Sequence, residues 1–134
     1  MLSIELNRMI TRLAPRHNFQ DYAPDTFQAL SSQATSSLVV SSLACDKTIY
    51  GDTKVNGMFR AWHDQTHLDL GADFSPIGER RVALEQCRIV GGQFADILWA
   101  EIVGQGEYFA KYGHFPFDQD SFIRDYLKDS GFRN

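Results

Sequence analysis

The chain has 134 residues, 43% apolar and 22% charged, enough to bury a hydrophobic core and too apolar for wholesale disorder. Its formal net charge is −4 and its one adjacent basic pair is Arg80-Arg81, which weighs against nucleic acid, whose phosphates call for clustered Lys and Arg. No run approaches the apolar length of a membrane span, and residues 1–8 lack a signal peptide's apolar stretch, so a cytoplasmic protein of one domain over residues 1–134 is expected.

Ile4, Leu6, Met9, Ile10 and Leu13 form an apolar stripe at helical spacing, and Pro15 ends it, predicting a first helix from Ile4 to Leu13. A short helix is expected from about Asp25 to Leu30. From Ser31 to Ser42 six serines surround Leu38-Val39-Val40. Serine competes for backbone hydrogen bonds and valine favours extension, so a loop or one short strand is expected there, and Thr48-Ile49-Tyr50 reads as a second extended piece.

The second half carries stronger punctuation. Asp52 caps a helix running to Leu70, where Gly71 stops it. Ser75-Pro76 supplies an N-cap and an N1 proline for a helix to about Val90, broken by Gly91-Gly92. A further helix is expected from about Gln93 to Tyr112, with Gly104 and Gly106 inside it, and a last one from about Gln119 to Lys128. Short connections between these elements predict a mainly α, compact bundle of four to five helices, with a loop-rich or short-strand segment near residues 31–51.

Chemistry concentrates in His63-Asp64-Gln65-Thr66-His67. Two histidines four apart on a helix project from one face a turn apart, so two imidazoles can reach one metal ion, as on the HExxH zinc helices. Asp64 stands where that motif has Glu and is one methylene shorter. The bland alternative is a pair of histidines satisfied within or at the edge of the core, and the two readings weigh about equally. A third ligand has two equal candidates. Glu101 falls within the apolar series Phe94, Ile97, Leu98 and Ile102, where a carboxylate must be paired or bind a cation. Glu79, in the first turn of its helix, lines up with Ala83, Gln86 and Val90, although the helix dipole alone would favour an acid there. One of the two could bind while the other orients a histidine.

His63-Asp64 is also the doublet of the HD-type phosphohydrolases, which add an upstream His and a downstream Asp; His17 and Asp120 or Asp125 are the candidates. His114 reads as a loop residue, with a fourth ligand as the alternative. Asn56, Arg60 and Gln105 could orient a substrate. Cys45 and Cys87 form no CxxC and are expected to be reduced and inert.

The stretch Phe59-Arg60-Ala61-Trp62-His63-Asp64-Gln65-Thr66-His67, followed by Gly78-Glu79 and Trp99-Ala100-Glu101, resembles small uncharacterised proteins encoded by tailed bacteriophages, over roughly the second half of the chain. The resemblance implies expression in a bacterial host's cytoplasm and a role toward host proteins. Two functions are therefore expected in competition. One is a metal-binding protein, possibly a metal-dependent hydrolase of an unknown small-molecule substrate, with His63, His67 and Glu79 or Glu101 holding Zn, Mn or Fe and Asp64 as the catalytic base. The other is a non-enzymatic binder of a host protein, using exposed aromatics such as Tyr108, Phe115 and Phe117.

Overall fold

In a computed structural model, which describes residues 1–21, 23–33 and 38–131, the chain is mainly helical and compact, with one small sheet. Helix α1 spans Ile4–Leu13, capped by the Ser3 hydroxyl, which accepts from the Leu6 amide. Strand β1 (His17–Gln20) pairs in parallel with β2 (Leu38–Ser41), and α2 (Phe27–Gln33) lies in the crossover between them. Residues 34–37 of the serine-rich stretch lie outside the described residues.

Helix α3 covers Thr53–Leu70, with the Asp52 carboxylate accepting from the Lys54 and Val55 amides and Gly71 in the left-handed region. Helix α4 follows over Pro76–Val90. Helix α5 (Gly92–Trp99), a π-helical stretch (Ala100–Gly104) and α6 (Gln105–Tyr112) run on as one rod, and α7 covers Gln119–Asp129. The backbone stays right-handed helical through Trp99, Ala100, Gly104 and Gln105, so the two glycines do not break the rod.

The core is built by Leu6 and Ile10 of α1, Phe59 and Trp62 of α3, Leu98 of α5 and Ile123 of α7. The β pair packs on α3 at Gly57, where the Phe19 ring sits so close that a Cβ would lie 1.7 Å from Phe19 Cζ. Any side chain there would have to push the Phe19 ring aside.

One expectation is corrected. Thr48-Ile49-Tyr50 is a turn. It is pinned by the Leu2 amide donating to Ile49 O at 2.7 Å and by Asn7 Nδ2 donating to Tyr50 O at 2.9 Å. These bonds tie the segment to Leu2 and to α1 rather than to a neighbouring strand. Strand β2 pairs with β1, a strand for which the sequence carried no expectation.

Candidate metal centre

Helix α3 presents His63 and His67 one turn apart, with ring centroids 4.8 Å from one another. Phe59 stacks on His63 and Phe74 meets the edge of His67, so both rings are held in apolar contact. The chain then turns back sharply. Gly71 ends α3, the Ser75 hydroxyl caps α4 by accepting from the Gly78 amide at 3.1 Å, and Pro76 begins the helix. Gly78 packs so closely on Asp73 that an added Cβ would lie 2.0 Å from the Asp73 carbonyl oxygen. That tight hairpin delivers Glu79, in the first turn of α4, onto the two imidazoles.

Glu79 Oε2 lies 3.0 Å from His63 Nε2, and Glu79 Oε1 lies 3.2 Å from His67 Nε2. The two Nε2 atoms are 3.2 Å apart. Ligand atoms sharing a cation at about 2.1 Å stand roughly 3.0 Å apart in octahedral and 3.4 Å in tetrahedral geometry, so the observed spacing, which also suits hydrogen bonds, could accommodate a metal ion. Among the described residues, His63, His67 and Glu79 are the group whose ligand atoms come close enough to hold a metal ion.

The far sides of both rings fix the orientation of the near sides. His67 Nδ1 donates to the Ala72 carbonyl at 2.8 Å, and His63 Nδ1 donates to Gln86 Oε1 at 2.8 Å. With hydrogen on Nδ1, a neutral ring carries a bare lone pair on Nε2. Two lone pairs and a carboxylate therefore converge on one point, an arrangement that calls for a positive charge, either an extra proton or a cation. Second partners of this kind are characteristic of metal-bound histidine. Access is graded: the His67 side chain is 0% exposed, His63 17% and Glu79 34%, so the group is closed behind and reachable from the front.

Electrostatics follow from the same contacts. Burial works against a charged His63, but Glu79, aided by Gln86 and Asp64, outweighs it and raises the imidazole above its ordinary value. Glu79 is pulled the other way. Burial would raise it, yet hydrogen bonds to His63 and His67 bring its carboxyl down to about 2.

The group opens onto a cleft of about 800 Å³ that also takes in Asp64, Arg60, Glu101 and Gln105, with Phe109 and Phe115 at its mouth. Asp64 lies beside His63 but outside the ligand group; burial raises its carboxyl to about 6, against the pull of His63 and His67. Glu101 also stands outside the group. It comes from the π-helical stretch, is 7% exposed, and burial raises it to about 7, against the pull of Arg60, Gln105 and His63. Of the two equal candidates for third ligand, Glu79 is therefore the one the hairpin brings to the histidines.

The remaining candidates are elsewhere or otherwise engaged. His17 lies on β1 with Nδ1 against Pro15 O, Asp120 pairs with Arg124 at 2.9 Å, and Asp125 is exposed, so the additional residues of an HD-type set do not join His63-Asp64. His114 is exposed, stacked on Phe117. Asn56 is buried, donating to Cys45 Sγ, and Arg60 donates to the carbonyls of Ser41, Leu43 and Ala44, tying down that loop. Gln86 and the Ala72 carbonyl are the contributors that residue types alone did not single out. The alignment of Gln86 with Glu79 on one face of α4 was the available signal.

Comparison with protein-family models, with curated proteins and with solved structures finds no match in any of the three. Among the described residues, no helix is long and apolar enough to cross a membrane.

Proposed function

We propose that the protein is a metal-dependent hydrolase in which His63, His67 and Glu79 hold one divalent transition metal, Zn, Mn or Fe, at the closed end of the cleft. The carrying observation is the convergence of two Nδ1-fixed imidazoles and a carboxylate at 3.0–3.2 Å. A cation held by three protein ligands keeps positions free to polarise a substrate oxygen and to acidify water. Asp64, in the same cleft and beside the ligands, would take up the proton of the attacking water. The reducing cytoplasm of a bacterial host, implied by the phage resemblance, suits the two free thiols, Cys45 and Cys87. The deciding experiment is elemental analysis of untagged protein. Near-stoichiometric metal, lost in a folded His63→Ala/His67→Ala double variant, is expected; protein that takes up none of Zn, Mn or Fe would remove the reading.

A second reading is favoured by one observation, the exposed aromatics on and after α6. Phe109, Tyr112, Phe115 and Phe117 are 45–86% exposed and lie near Tyr108 and His114. Exposed aromatic patches of this kind mark protein contacts, and a non-enzymatic binder of a host protein would use this face. A host lysate that yields no saturable partner for the wild type would count against it.

A further inference from the structure

Glu101 is a buried carboxylate with no structural occupation that accounts for it. Its Oε2 atom has no hydrogen-bond partner, while Gln105, four residues on, bonds the carboxyl group. Burying such a group unpaired is costly, so its place in the wall of a cleft calls for an explanation. The π-helical stretch that carries it is a rare geometry, recurrent at functional sites, and here it sets Glu101 and Gln105 together on the wall of the cleft.

The other charges of the cleft offset it only in part. Arg60 attracts both Glu101 and Asp64, yet its guanidinium hydrogens go to three loop carbonyls; Arg80 faces Glu107 at 3.8 Å, and Glu79 is engaged with the histidines. Among the described residues, neither Glu101 nor Asp64 forms an ion pair with a Lys or Arg side chain. The remaining lining is aromatic and apolar, with Phe59, Phe74, Phe109 and Phe115 contributing rings. Aromatic faces and an acidic floor together recognise an organic cation, and about 800 Å³ accommodates one with a substantial body.

We propose that the cleft binds a substrate bearing a primary ammonium or guanidinium head, which the Glu101 carboxylate receives while the aromatic walls enclose its body. The inference names the substrate class of the hydrolase reading and rests on that reading only for the bond cleaved. The cationic head would sit on Glu101, leaving a carbonyl or other hydrolysable group to face His63, His67 and Glu79.

The test compares benzylamine with benzyl alcohol, equal in shape and different in charge, by isothermal titration of the full chain with and without zinc. Saturable benzylamine binding, roughly tenfold or more tighter than benzyl alcohol, is expected in both states. It should fall by about the same factor in Glu101→Gln and be retained in Glu107→Gln at the rim. Equal binding of the two probes, or full amine binding by Glu101→Gln, would overturn the proposal. So would two zinc ions per chain falling to one in Glu101→Gln, which would make Glu101 a ligand of a second metal. Zinc bound without amine selectivity sinks this inference alone; amine selectivity without zinc sinks the metal reading alone.

Discussion

His63 Nε2 and His67 Nε2 face each other at 3.2 Å, although Gln86 and Ala72 hold the hydrogen of each neutral ring on the opposite nitrogen. Two lone pairs at that distance repel unless a positive charge lies between them and the Glu79 carboxylate. A proton on one ring would supply that charge, and a metal ion entering the group would have to displace it.

Zinc binding should therefore release protons. His63 holds its proton more firmly than an ordinary histidine because Glu79 outweighs burial, so at pH 6.5 uptake of zinc is expected to expel about one proton per chain. Release should diminish as the pH rises past the folded value. Titration in buffers of different ionisation enthalpy measures the number directly, and a value of zero at pH 6.5 would contradict the arrangement.

The metal-free protein should lose stability as pH rises from about 5 to above 7. Glu101 and Asp64 have folded values raised to about 7 and about 6, so unfolding lets them ionise, and stability present below their unfolded values is lost on the way up. His63, also raised, contributes stability that is full below its unfolded value and lost through its folded one. Glu79, depressed to about 2, acts only at the acid end, its contribution present above its unfolded value and lost as pH falls. Glu101→Gln removes the largest acidic contribution and should stabilise the chain at pH 8 by on the order of 2–3 kcal/mol, seen as a higher denaturation midpoint and a flatter pH profile. No gain at pH 8 would refute it.

Gln86→Leu keeps the shape of a fully buried side chain and deletes the acceptor for His63 Nδ1. Zinc affinity should drop by about tenfold to a hundredfold with all three ligands intact. Competition against a chromophoric chelator gives the ratio; unchanged affinity would show that the glutamine does not orient the ring.

Two glycines make a contrasting pair. Gly57→Ala drives a methyl group into Phe19 and should cost about 1–3 kcal/mol. Gly106→Ala, in a helix with nothing within 4 Å of the added Cβ, should stabilise by about 0.5–1 kcal/mol. Urea denaturation distinguishes them, and the same sign for both would be the wrong result.

Helix ends were legible because their causes are local. Asp52, Gly71 and the Ser75-Pro76 pair each act on the nearest turn, and all three mark boundaries in the structure. The two histidines were legible because 3.6-residue periodicity alone puts them side by side. Choosing Glu79 over Glu101 was not, since that depends on how α4 folds back on α3 through a turn set by Asp73, Ser75 and Gly78. Strand β1 also escaped: His17, Asn18, Phe19 and Gln20 show no apolar alternation, and their partner lies about twenty residues away. The π-helical stretch hides for a related reason, because its wider turn is a matter of hydrogen-bond register that Ala100 to Gly104 do not advertise.

That wider turn gives the rod one residue of slack between α5 and α6. Deleting one of residues 100–104 would restore regular α geometry and leave the exposed rings of α6 on nearly the same side, whereas deleting one from α5 itself would swing everything downstream by about 100° about the rod's axis. Substitutions are less easily absorbed, since all five positions are buried and a Cβ on Gly104 would lie 3.1 Å from the Tyr126 ring.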